Sequence, residues 1–290
     1  MAVYERTYRP YTGSLTPEWS RFMVLPRYAF SEVFQKKLFV AFLVTCFVWP
    51  LLLAVLIYLP HNVSFLKLVS EQMGGEGIGI SFNAAFFLRG FMVPQGALAF
   101  LMAFILGPAL ISADQRNNAL PLYFSRPFAR WEYVLGKALV LVILLSLITW
   151  VPGVLLFLLQ GYLVGEGWLF ENIRIGAAIA LASWIYIALL CLVSLAISAY
   201  VKWKPLARLA LFGVVFVAGA MGGTLNFALR TDWGSLINLA DMMRVVWASL
   251  FGVRFWSNVP VGAAWLSLLT ACGICILLLA RKIRAYEIVK

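Results

Sequence analysis

The chain has 290 residues, 63% of them hydrophobic and 12% charged, with a formal charge of +11 and a mean hydropathy of +0.92. Soluble domains are nearer half apolar and a quarter charged, so a disordered chain, a fibrous protein and an ordinary soluble enzyme are excluded. A polytopic membrane protein remains, because about 20 apolar residues in a row cross a hydrocarbon core roughly 30 Å thick.

Residues 1–37 form a cytoplasmic segment before the first apolar run. Within it, Arg27 to Lys37 predicts an amphipathic helix with Phe30, Val33, Phe34 and Leu38 on one face and Glu32, Gln35 and Lys36 off it. Six apolar segments follow in a transmembrane domain over 38–281, at about 38–59, 90–113, 138–160, 175–200, 207–229 and 260–280. The apolar residues run on without alternating, which predicts helices rather than barrel strands. Pro50, Pro94, Pro108 and Pro152 predict kinks. Residues 282–290 form a short basic tail.

The charges set an orientation. The N-terminal segment, the 114–137 and 201–208 connections and the tail hold 17 of the Lys and Arg, and the alternate loops hold 6. Acids divide six and six, so one side carries the whole excess. Positive loops stay in the cytoplasm, which places both termini inside. Topology and anionic lipid account for the basic charge without nucleic acid. The first apolar run reads as a span, too long for a signal core and without a convincing cleavage site.

Several chemistries lack their residues. Gly136-Lys137 is followed by Ala138, so no phosphate loop is present, and Gly74, Gly75, Gly77 and Gly79 form a turn with no strand before it. The only histidine, His61, sits at a span end, and no HExxH or GxSxG occurs. No ionisable group lies inside a span, which disfavours an ion-coupled secondary carrier. Cys46, Cys191, Cys272 and Cys275 all fall within spans. Cys272 and Cys275 read as small residues at a helix contact rather than a metal or redox pair. The chain is therefore expected not to be an enzyme and to hold no metal or cofactor.

The 111–137 connection is the informative stretch. It should be polar, yet it clusters Leu120, Leu122, Tyr123 and Phe124. Such a patch is either a lipid-surface anchor or a docking site for a partner. Ser112 or Asp114 is placed to cap a short helix, which Pro127 ends. Span five carries Gly219, Gly222 and Gly223, a close-packing face for a subunit contact or an internal one. Gln95, Thr149, Thr224 and Asn226 are candidate pathway groups, each equally able to be satisfied by a neighbouring helix.

The connection resembles the signature of the type-2 permeases of ATP-binding-cassette exporters, in which an acidic residue ends the second span before a "gtLplylsRPisRweYvlGK"-like run. Asp114, Leu120, Arg126, Pro127, Arg130, Glu132, Tyr133, Gly136 and Lys137 stand at the matching positions, with Asn118-Ala119 in place of Gly-Thr. In the last outer loop, Asn238-Leu-Ala-Asp241-Met-Met-Arg244 is similar to the "lNPadafR" of the copper-enzyme-maturation branch, with Leu239 in place of the proline. Asn238 is placed to cap an amphipathic helix bearing Met242, Val245, Val246 and Trp247, either an outer lid or interfacial helix or one that only packs.

The resemblance implies a multi-pass permease of a bacterial or archaeal plasma membrane, with an N-terminal connecting helix along the membrane surface. The 111–137 loop would be a coupling helix seated in an ATPase subunit. It implies a homodimer or heterodimer of permeases with two separate ATPase copies, which carry the ATP and Mg. Spans one and five would meet across the dimer axis. A secondary carrier and a membrane scaffold or sensor without an ATPase are the alternatives.

Overall fold

The computed structural model describes residues 23–62, 81–119, 130–165, 167–254 and 259–282. Among the described residues there is no strand. Six helical stretches are long and apolar enough to cross a membrane: Lys37–His61, Phe86–Arg116, Trp131–Val164, Ile173–Tyr200, Lys204–Leu229 and Val261–Lys282, here spans 1 to 6. This is a multi-pass helical membrane protein. The helices run past the apolar segments into polar ends, because the backbone hydrogen-bond ladder continues wherever its donors remain.

Ahead of span 1, an N-terminal helix covers Val24–Phe34 and stops at Gln35–Lys36, where a new helix starts at Lys37. The expected helix through Leu38 is thus interrupted. Val33 is buried and Phe30 packs on the core, but Leu38 belongs to span 1 and is exposed. Glu32 accepts a 3.1 Å bond from Lys36, and this holds its carboxyl below the usual range.

The prolines organise the core. A proline has no N–H for the carbonyl four residues before it, so Pro50 leaves Cys46 O without its helical donor and Pro152 does the same to Ile148 O. The Nε2 of Gln95, in span 2, donates to both carbonyls, at 3.1 and 2.5 Å. Gln95 is buried, and this one amide joins spans 1, 2 and 3. Pro94 similarly frees Gly90 O, which accepts from Trp49 Nε1 at 2.9 Å. The chain around it, Phe86–Met92, is wound as a π-helix, the form in which a helix absorbs an extra residue. Span 3 breaks at Thr149, whose hydroxyl donates to Leu145 O at 2.6 Å.

Spans 2 and 4 form the centre and are the most buried of the six, with spans 5 and 6 the least. Small residues let them approach. A Cβ added at Gly107 would lie 2.5 Å from Ser194 Cβ. Nearby, Ser198 is wedged into the span 2 ladder. Its Oγ accepts from the backbone N–H of Ile111 (3.1 Å) and Ser112 (2.9 Å) and donates to Pro108 O (2.9 Å). Gln115 Nε2 donates to Ala199 O. Buried polar groups of this kind fix helix register where all other contacts are interchangeable apolar ones.

Residues 230–251 of the last outer connection pack into the bundle. After span 5 the chain folds back, through a 3₁₀ turn at Trp233–Ile237, and runs beside it. Leu236 O accepts from Ser267 of span 6 at 2.7 Å, and a Cβ on Gly222 would meet Gly234 O at 2.6 Å. A helix over Leu239–Phe251 then returns to the end of the bundle. Seven of its residues are buried, including Met242, Val246 and Trp247. Trp247 Nε1 donates to Ala182 O of span 4 at 3.2 Å. At its other end Arg174 donates to Ser249 O and Leu250 O, both at 3.3 Å. That places a cation on the carbonyl end of the helix. The helix is therefore inserted between spans, where a surface lid was one expectation.

Candidate functional site

Two arrangements gather polar side chains. The first lies where the 114–137 connection leaves and rejoins the bundle. Ser112 and Asp114 cap no new helix; both belong to the last turns of span 2, and Ser112 Oγ donates to Pro108 O. Span 2 ends in the turn that a left-handed residue permits. Asn118 has φ +50°, its N–H donates to Gln115 O at 3.3 Å, and Ala119 N–H donates to Asp114 O at 2.9 Å. This pair of bonds is the Schellman motif, and its left-handed position takes Gly or Asn.

Asp114 then closes the base of the connection. Its Oδ2 accepts from Tyr133 OH at 2.7 Å and from Lys137 Nζ at 2.8 Å. The Lys137 ammonium also sits 5.7 Å from the centre of the Tyr133 ring. Tyr133 is fully buried, and the Asp114 and Lys137 side chains are only 15% and 11% exposed. A desolvated ion pair with a phenol bonded to it ties the end of span 2 to the start of span 3. Gly136 is buried and Glu132 half-buried in the same helix. The Arg130 backbone begins that helix. Leu120, Tyr123, Phe124, Arg126 and Pro127 lie outside the described residues.

The second arrangement is a cavity of about 550 Å³ between spans 2, 4 and 5 and the inserted helix. Its walls are chiefly apolar, with Phe100, Leu190, Val193, Val215 and Phe216 among them. Asn238, Asp241 and Arg244 line it from the inserted helix. Asn238 caps that helix, accepting from Ala240 N–H (3.1 Å) and Asp241 N–H (3.4 Å). Asp241 Oδ2 accepts from Asn238 Nδ2 at 2.6 Å, and its Oδ1 accepts from Arg244 Nη1 at 2.9 Å. Tyr186, edge-on to Trp247, donates its hydroxyl to Gly96 O at 3.0 Å. Asn238 faces Gly219, ten residues or about 15 Å along span 5 from its Leu229 end. Asn238 therefore sits well below that end, while Asp241 and Arg244, with side chains 38% and 49% exposed, lie nearer it.

None of Gln95, Thr149, Thr224 and Asn226 lines this cavity. Gln95 serves freed carbonyls, Thr149 donates to Leu145 O of its own span, Thr224 donates to Met221 O at 2.9 Å, and Asn226 donates to Ser235 Oγ at 2.7 Å. Gly219 and Gly222 face the returning 234–238 segment, while a Cβ at Gly223 would meet nothing within 4 Å. Cys272 and Cys275 are free thiols. Among the described residues no three His, Cys, Asp or Glu gather to hold a metal. Sequence reasoning missed Asp241 and Arg244 as cavity-lining groups; the available signal was the strong apolar face of the 239–251 helix, which calls for burial against the bundle.

No family model matches the chain, and a search of curated proteins returns no match.

Proposed function

We propose that this chain is the transmembrane permease subunit of an ATP-driven exporter of the type-2 kind, working as a dimer with two separate ATPase subunits. The observation that carries the reading is the Asp114–Tyr133–Lys137 clamp. Three of the nine residues that make the resemblance, Asp114, Tyr133 and Lys137, brace the two ends of the connection against each other. Two smaller points support it. The family's glycine falls at Asn118, where the backbone has φ +50°. The proline of the copper-enzyme-maturation branch falls at Leu239, the first residue of a helix, where proline is favoured but not required.

The braced base suits a mechanical role. ATP-driven closure of the partner subunits would push on the 120–129 segment. Because the clamp joins spans 2 and 3, and Ser198 and Gln115 join span 2 to span 4, the push moves three spans as one body rather than bending one loop. Such rigid-body motion shifts a dimer between two states of access. The basic end of the bundle, with Arg116, Lys137, Lys204 and Lys282, faces the cytoplasm of a bacterial or archaeal cell. ATP and Mg belong to the partner, and the barely buried faces of spans 5 and 6 are open to lipid and to a second permease copy.

One observation bears on the carrier alternative: Asp241 and Arg244, which line the cavity, are paired with each other at 2.9 Å, so neither is a lone charge. The test is hydrolysis. The purified chain alone is expected to show none, and ATPase activity and transport are expected only with the partner subunit. Ion-driven transport by the isolated chain in vesicles refutes the proposal.

A further inference from the structure

We propose that the cavity beneath the inserted helix binds a single-chain amphiphile with a small anionic head, held by Arg244. The argument starts from shape. At roughly 30 Å³ per heavy atom, water's share of liquid volume, a cavity of about 550 Å³ takes on the order of 18 heavy atoms. One long-chain carboxylate has that size, and a two-chain lipid has about twice it. Ala97 and Phe216 both line the cavity and are exposed, so it opens sideways between spans 2 and 5. A molecule already in a bilayer leaflet would enter that way.

The polar rim selects the head. Asp241 has both oxygens occupied, one by Asn238 Nδ2 and one by Arg244 Nη1. Arg244 spends one N–H on this bond, and a guanidinium has five. What the rim offers a head group is chiefly donors, the remaining guanidinium N–H groups of Arg244, beside a carboxylate already paired with that guanidinium. A carboxylate or phosphate monoester fits, whereas an ammonium head meets a carboxylate already used.

The geometry orders head and tail. The inserted helix rises from Leu239 toward Arg174 at the bundle end, so Arg244 lies nearer that end than Asn238 does. Val193 and Leu211, also in the lining, lie seven residues from the opposite ends of spans 4 and 5, at Tyr200 and Lys204. The head therefore points to the end of the bundle that carries the inserted helix, and the chain points to mid-bundle, as in a lipid of that leaflet.

As part of an exporter's pathway, on its outer side, this rests on the function proposed above; as a binding site it does not, because the test needs no ATPase. The full chain is placed in phosphatidylcholine nanodiscs and labelled with a diazirine derivative of palmitate, and the adducts are mapped by mass spectrometry. Adducts are expected on spans 2, 4 and 5 and the inserted helix. Unlabelled palmitate should compete about tenfold better than hexadecanol, the value of one charge-assisted contact, and hexadecyltrimethylammonium should compete least. Arg244→Gln should remove the preference for palmitate and leave hexadecanol unchanged, with Arg244→Lys retaining most of it. Ala97→Trp, which fills the open side of the cavity, should abolish labelling by either. Equal competition by all three heads, or labelling indifferent to both Arg244→Gln and Ala97→Trp, overturns the proposal.

Discussion

Replacing Asp114 by Asn tests the clamp at its centre. The variant keeps an oxygen for the Tyr133 hydroxyl but leaves the Lys137 ammonium, 11% exposed, without its counter-charge. Breaking a buried pair from one side typically costs 3–5 kcal/mol, and since these side chains keep some solvent, about 3 kcal/mol is expected here. That is roughly a hundredfold in the folding equilibrium. Lys137→Met strands the carboxylate instead and should cost a similar amount. The double variant removes both charges, and buried pairs replaced by apolar groups are often near neutral. Most of the loss should therefore return, giving a coupling of about 2 kcal/mol or more. Tyr133→Phe deletes one hydrogen bond to a charged group and should cost about 1.5 kcal/mol. The assay is equilibrium unfolding in detergent by denaturant titration, read by tryptophan fluorescence. Single variants within about 0.5 kcal/mol of the parent, with no coupling, would show the pair to be a solvated surface contact and refute the reasoning.

Gln95→Leu leaves Cys46 O and Ile148 O without donors and should cost about 1–2 kcal/mol, at the 0.6 kcal/mol or more per bond usual within membranes. Adding Pro152→Ala restores a helical N–H to Ile148 O and should recover part of the loss in the same unfolding assay; a neutral Gln95→Leu contradicts the bridge. Gly107→Ala drives a methyl against Ser194 and should cost about 1–3 kcal/mol. Ser194→Gly in the same chain should relieve it, and an unrelieved loss would place the clash elsewhere. Gly252→Ala puts a side chain at φ +69°, 3.0 Å from the Arg174 guanidinium, and should cost about 1–2 kcal/mol. Arg174→Ala should lessen that cost, and additivity of the two variants would deny the contact.

The spans were legible because a run of 20 apolar residues has few other fates. Their ends moved outward by a few residues since helix propagation ignores hydropathy. That Pro50, Pro94 and Pro152 would leave carbonyls without donors was legible too, but not which groups answer them, because Gln95 and Trp49 lie far from those carbonyls in sequence. The Asn238-capped helix was legible, but not its insertion between spans, because 13 residues are too few to span and Asp241 and Arg244 suit a surface helix equally well. Its Met242, Met243, Val246, Trp247 and Phe251, all buried, were the countersign, since so broad an apolar face seeks packing partners. The break at Gln35–Lys36 had no signal, as the Glu32–Lys36 pair favours a continuous helix. In the candidate site, the residue types of the 111–137 connection were legible. That Asp114, Tyr133 and Lys137 turn inward to one another was not, since spacing alone cannot distinguish a docking surface from its brace.

The central claim is that an ATPase seats on the 120–129 segment. The direct measurement is retention of that subunit by the affinity-purified chain in detergent, with the parent compared to the Tyr123→Ala, Phe124→Ala double variant. Truncating an aromatic anchor at an interface costs about 2 kcal/mol or more, roughly thirtyfold in affinity. The account predicts that the parent carries an ATPase with it, and that the double variant inserts normally yet loses most of it. A parent chain that carries no ATPase, or a double variant that keeps it in full, would contradict the account.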